Sequence, residues 1–254
     1  MLDLKEKLIV ALDVDAFEKA QKLVGLLSPR VKFFKVGSQL FTACGPEAIK
    51  MIGEIGGQVF LDLKFHDIPN TVYSAVASGT SSAITIYSVP TGLDEVKVED
   101  RIKKIISYPV FMMTVHTGGV DKKMLSEAVR GASEKASELK IKRPLIVGVT
   151  VLTSQENNKD TLGVVLERAK FAQEAGLDGV VCSVSEAATV RKECGEDFII
   201  VTPGIRPSGM SAHDQKRTAT VSEAIKAGSD FLVVGRPILE AKDPLEAVKN
   251  LLQA

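Results

Sequence analysis

Eight short runs of strand-favouring apolar residues recur along the chain, each followed by a longer amphipathic stretch. They are LIVALD (8–13), FFKVG (33–37), QVFLDLK (58–64), VFMMTVH (110–116), LIVGVTVL (145–152), GVVCS (179–183), FIIVTPGI (198–205) and FLVVGRPI (231–238). The runs are nearly continuous in Val, Ile, Leu and Phe rather than alternating with polar residues. That is the pattern of parallel strands covered on both faces. Between them, helices are expected at 15–27, from Pro46 as first helical residue to about Gly56, and from about Asn70. Further helices are expected at 121–139, 158–175, 185–194, 220–227 and 243–253. Phe17, Ala20, Leu23, Val24 and Leu27 form a helical stripe in the first, and Gly176, Gly195 and Gly228 stand where helices need a C-terminal cap. EAGLDGVVCS and KAGSDFLVVG repeat one helix-to-strand turn. Eight such units predict an α/β chain folded as a single (β/α)8 TIM barrel over residues 1–254. A doubly wound open sheet is the alternative, but no G-x-G-x-x-G follows the first strand. An expanded segment at about 78–108 breaks the rhythm, and Val98–Ile106 is expected to form an extra helix there.

Composition narrows the partners. The 254 residues include 32 Lys+Arg against 32 Asp+Glu, a formal net charge of zero. Without a basic field, nucleic acid and anionic membranes are poor partners, and any anion must be held locally. No apolar run approaches a membrane span, and the five apolar residues Leu8–Leu12 are too few for a signal peptide. Cys44, Cys182 and Cys194 lack C-x-x-C spacing and read as reduced thiols of a cytoplasmic protein.

Barrel active sites lie at the C-terminal ends of the strands, and here the runs end in charge. The first ends at Asp13, the second carries Lys35, and the third ends in Asp62-Leu63-Lys64 with Asp67 close behind. Period-two alternation points Asp62 and Lys64 to one face. Such a cluster is either a salt-bridge network closing the barrel or a catalytic array. Thr153 and Ser154 follow the fifth run. Arg206 and Arg236 follow glycine-bearing turns after the seventh and eighth strands, whose loops frequently form the phosphate site of such barrels. His66, Asp67, Asp13 and Asp62 could suggest a divalent metal, but Lys35 and Lys64 in the same pocket would repel it. His116 reads as a hydrogen-bonded wall residue and His213 as an exposed loop residue.

The segment DLKFHDIPNTV, Asp62 to Val72, resembles the signature of the orotidine 5′-phosphate decarboxylase family. ALDVD, FFKVG, TVHTGG, GVTVLTS, GLDGVVCS, VTPGIRP and FLVVGRPI resemble that family's other blocks, in its order. The resemblance implies decarboxylation of orotidine 5′-phosphate to UMP in pyrimidine nucleotide synthesis. It also implies no metal or organic cofactor, and a homodimer with its sites at the interface. It makes Lys64 the proton donor to C6, places Asp62 beside the substrate carboxylate, and sends Asp67 into the neighbouring site to complete an array with Lys35. It assigns Asp13 and Lys35 to the ribose hydroxyls, Thr71 to ribose across the interface, and Thr153 and Ser154 to the pyrimidine. Arg206, Gln215, Gly235 and Arg236 are to hold the phosphate, Gln215 from a closing loop.

Two other readings compete. A phosphosugar lyase or synthase related to hexulose-6-phosphate synthase would use the D-x-K-x-x-D carboxylates with Mg²⁺. A catalytically silent nucleotide-binding dimer would bind UMP without turnover.

Overall fold

The computed structural model describes residues 4–82, 84–88, 103–152, 160–207 and 218–253. All eight expected runs are strands: β1 (Leu8–Ala11), β2 (Phe33–Gly37), β3 (Gln58–Phe65), β6 (Val110–His116), β7 (Leu145–Val149), β8 (Gly179–Val181), β9 (Ile199–Thr202) and β10 (Phe231–Val234). They pair in parallel and close into a barrel in the order β1-β10-β9-β8-β7-β6-β3-β2. The helices are α1 (Phe17–Leu27), α2 (Ser38–Cys44), α3 (Glu47–Glu54), α4 (Pro69–Thr80), α5 (Lys122–Leu139), α6 (Thr161–Glu174), α7 (Val184–Cys194), α8 (Val221–Lys226), α9 (Arg236–Leu239) and α10 (Pro244–Gln253). No described helix is long and apolar enough to cross a membrane.

Strand periodicity sorts the side chains into two layers. Leu8, Val10, Phe34 and Val36 face the helices and join the larger apolar core with Ala20, Val24 and Leu27 of α1. Ile9, Ala11, Phe33, Phe60, Met112, Val147, Val201 and Val233 face inward and fill the barrel. At its N-terminal end Phe33, Phe111 and Phe231 plug the interior, with ring centroids 4.7 to 5.9 Å apart. The same inward register continues upward as Phe33 to Lys35, Phe60 to Asp62 and Val233 to Gly235. An apolar floor is thereby followed by a polar mouth at the C-terminal ends.

The repeated helix-to-strand turn has a physical purpose. Gly176 and Gly228 take φ of 86° and 88°, values that glycine adopts without steric cost. Each turn then delivers an aspartate to the base of the barrel. Asp178 accepts from Ile146 N and pairs with Arg143. Asp230 accepts from Ile200 N at 2.8 Å and pairs with Arg191. Strand amides that would otherwise be orphaned are thus bonded by side chains.

Three expectations need correction. The second half of the expected helix Val98–Ile106 is strand: β5 (Lys103–Ser107) pairs antiparallel with β4 (Ile84–Ser88), making a two-stranded sheet outside the barrel. Residues 98–102 lie outside the described residues. Pro46 is the N-cap of α3 rather than its first helical residue. The first, fifth, sixth, seventh and eighth runs leave the sheet before their ends, and Arg236 opens α9 instead of extending β10.

Candidate active site

Four charged side chains form a line across the barrel mouth. Parallel registry sets Ala11 beside Lys35 and Gly37 beside Asp62. The inward-facing residues of β1, β2 and β3 therefore converge. Lys35 Nζ donates to Asp13 Oδ1 at 2.9 Å and lies 3.5 Å from Asp62 Oδ2. Lys64 Nζ donates to the same Asp62 Oδ2 at 2.9 Å. Gly37 completes the geometry, because a Cβ there would come within 2.9 Å of Lys35 Nζ and 3.4 Å of Asp13 Oδ1.

Asp62 is the hub, with its residue only 8% exposed. Thr114, fully buried on β6, donates from Oγ1 to Asp62 Oδ1 at 3.0 Å and accepts from Lys64 N at 2.8 Å. Lys64 itself has φ of 51°, a left-handed conformation rare for a residue with a Cβ. The β3–β6 register shifts between Leu61 and Phe65. This irregular strand end lets Lys64 turn back onto Asp62. Burial opposes the charge of Asp62, but the ammonium groups of Lys35 and Lys64 outweigh it and hold the carboxyl below the usual aspartate value. Burial likewise opposes the charge of Lys35, and the Asp62 and Asp13 carboxylates outweigh it, raising the lysine above its usual value. Both groups are ionised at neutral pH.

Above this line opens a cavity of about 770 Å³, within the range of small-ligand sites. Asp13, Lys35, Asp62 and Lys64 line it together with Arg206, Gly235 and Arg236, and Gly235 adjoins Asp13, since a Cβ there would lie 3.6 Å from Asp13 Oδ2. Arg206 is buried and donates to its neighbour's carbonyl, Ile205 O. Arg206 N donates to Ala219 O at 2.8 Å, and Ala219 N to Gly204 O at 3.2 Å. Among the described residues no group of three or more His, Cys, Asp or Glu side chains is arranged to hold a metal ion.

Asp67 and Thr71 do not line the cavity. Both are exposed, Asp67 in the turn after β3 and Thr71 in the first turn of α4, with Ile68 beside them 67% exposed. Asp67 Oδ1 accepts from Ile68 N at 2.6 Å. Thr153, Ser154, Gln215 and His213 lie outside the described residues. Sequence reasoning did not find Thr114; its signal was a lone hydroxyl within the apolar run VFMMTVH. Gln39 and Glu240 also line the cavity without having drawn attention.

The family model for the orotidine 5′-phosphate decarboxylase / HUMPS family matches residues 6–251. The orotidine 5′-phosphate decarboxylase of Moorella thermoacetica is 43% identical over 256 residues, covering 97% of this chain and 91% of the relative. That of Geotalea daltonii is 40% identical, covering 98% and 95%. Among solved structures, the orotidine 5′-phosphate decarboxylase of Lactobacillus acidophilus superposes with a TM-score of 0.75 at 33% identity, covering 98% of each chain. A charged barrel mouth and a sequence match spanning both ends of the barrel thus lead to one placement: the chain belongs to the orotidine 5′-phosphate decarboxylase / HUMPS family.

Proposed function

We propose that this chain is a carboxy-lyase that converts orotidine 5′-phosphate to UMP and CO₂, in the pyrimidine nucleotide pathway, without metal or organic cofactor. The observation that carries this reading is the line Asp13–Lys35–Asp62–Lys64, which shares one cavity with Arg206 and Arg236. Carboxylates and ammonium groups in one array, with two guanidinium groups in the same cavity, suit a substrate that carries both a reacting carboxylate and a phosphate.

In this reading the C6–CO₂ bond breaks heterolytically and its electron pair stays on C6. The Lys64 ammonium stabilises that charge and then gives C6 its proton. Neutral Lys64 recovers a proton from solvent. Asp62 stands beside the departing carboxylate, and Asp67 of the partner chain completes the array. Asp13 and Lys35 hold the ribose hydroxyls, with Thr71 reaching ribose across the interface, and Thr153 and Ser154 face the pyrimidine. Arg206, Gln215, Gly235 and Arg236 bind the phosphate, whose binding energy serves the distant chemistry by organising the site. The active form is a homodimer. Its setting is the cytoplasm, a reading supported by three cysteines that lack C-x-x-C spacing, two of them buried.

The test is the change in pyrimidine absorbance when purified protein meets orotidine 5′-phosphate, with and without chelator. Equal turnover in both arms is expected. Chelator-abolished turnover favours a metal-dependent phosphosugar reaction, and UMP binding without turnover favours a silent nucleotide-binding dimer.

A further inference from the structure

Two histidines stand side by side where β3 and β6 leave the barrel. Phe65 pairs with Val115, so His66, just past the end of β3, and His116, the last residue of β6, follow that pair directly. Their rings lie 5.7 Å apart between centroids, inclined by 30°. His66 belongs to an exposed turn with Asp67 and Ile68, whereas His116 is fixed from behind. Its Nδ1 accepts from Gly118 N at 3.2 Å, which leaves the proton of the neutral ring on Nε2. Gly118 is in turn pressed against α6: a Cβ there would meet the Arg168 guanidinium at 2.9 Å. Arg168 Nη1 donates to Thr150 O at the end of β7. His116 is therefore braced by β6, α6 and β7, and it offers a rigid ring face to the turn that carries Asp67.

We propose that His116 is a positioning residue for Asp67, acting through the ring of His66 to fix the turn that presents this carboxylate to the partner subunit's site. The inference rests on the shared-site reading above. The neutral state that Nδ1 acceptance requires is favoured by burial and by the facing charges of His66, Arg168 and Lys64, which lower the His116 pKa. A neutral ring can lie against His66 without charge repulsion. Lys64 and Asp67 flank the same turn, so the question is which of them His116 serves.

Mixed dimers answer it. His116→Ala is expected to lower kcat at least tenfold, and the exposed-turn variant His66→Ala, which leaves the core intact, to lower it in the same direction. Each is mixed with Lys64→Ala and, separately, with Asp67→Ala under subunit exchange. If His116 serves its own Asp67, the mixture with Lys64→Ala contains one intact site per mixed dimer. Activity then returns to about 25% of wild type under random exchange, while the mixture with Asp67→Ala stays low. The reverse pattern, recovery only with Asp67→Ala, overturns the proposal by assigning the histidines to the Lys64 site of their own chain. Wild-type kcat in both histidine variants also overturns it. The mixture of Lys64→Ala with Asp67→Ala serves as control: recovery there upholds the shared site whatever the histidines do, and no recovery overturns the shared site and this proposal together.

Discussion

Lys64 Nζ lies 2.9 Å from Asp62 Oδ2, two residues back on the same strand. A regular strand would point both side chains the same way without closing this contact, and the left-handed backbone at Lys64 brings it about. The Lys64 side chain is 35% exposed while that of Asp62 is 11% exposed. The pair thus has a buried acidic end and an open basic end facing the cavity, as a lysine must in order to reach a substrate.

Lys64→Ala is expected to fold and to lose turnover by about 10²–10³-fold or more in kcat, the usual cost of removing a central electrostatic group. Steady-state kinetics on the purified variant measure this. Retention of more than about a tenth of wild-type kcat contradicts proton donation by Lys64.

Arg236→Ala is expected to separate nucleotide from nucleoside. A charged contact to phosphate is worth about 2–4 kcal/mol, so kcat/KM for orotidine 5′-phosphate should fall accordingly while that for orotidine changes little. An equal proportional loss with both substrates would place Arg236 outside phosphate binding.

Neither Asp67 nor Thr71 reaches the cavity of its own chain, and this carries a prediction about assembly. Lys64→Ala and Asp67→Ala, each inactive alone, are expected to regain about 25% of wild-type activity after equal subunit exchange, because one site in each mixed dimer draws both intact residues. Exchange seen by size-exclusion chromatography without recovery would mean that each site is built from one chain.

The charge pair at the barrel mouth also sets a pH window. Asp62 is held below its ordinary pKa and Lys35 above its own. A depressed acid stabilises the fold above its unfolded-state pKa and loses that contribution as pH falls through the folded value. A raised base stabilises below its unfolded-state pKa and loses that contribution as pH rises through the folded value. The stability difference between wild type and Asp62→Asn, from urea denaturation, should therefore be level across the neutral range. It should shrink only in acid, below the ordinary aspartate range, and in alkali, above the ordinary lysine range. A difference that changes steeply around neutrality would contradict this assignment.

The barrel is legible in the sequence because parallel strands buried on both faces cannot afford polar residues until they reach solvent at their ends. The charges of Asp13, Lys35, Asp62 and Lys64 stand out for the same reason. The hairpin of β4 and β5 is not legible in that way. Ile105 and Ile106 are neighbours, and the sequence places them on one helical side with Ile102. In the structure Ile105 pairs with Ile86 and Ile106 with Thr85. The β-branched content of KKIIS, rather than any periodicity, was the available strand signal. Thr114 escaped notice because a hydroxyl in an apolar strand acquires meaning only from the neighbouring strand that it bonds. The left-handed turn at Lys64 arises from the broken β3–β6 register, a property of two strands that neither sequence states alone.

That backbone conformation has a consequence for how the position can change. For a residue with a Cβ, the left-handed region costs about 1–2 kcal/mol, and glycine escapes this cost. Of two variants that both lack the ammonium, Lys64→Gly should be the more stable, by about 1 kcal/mol over Lys64→Ala. This reverses the order expected within a strand, and thermal or urea unfolding of the two proteins would show it. Foldability alone would not choose lysine at position 64. If Lys64 has the proposed role, a descendant released from selection for turnover would be expected to drift toward glycine or asparagine there, and loss of the lysine would mark loss of the chemistry.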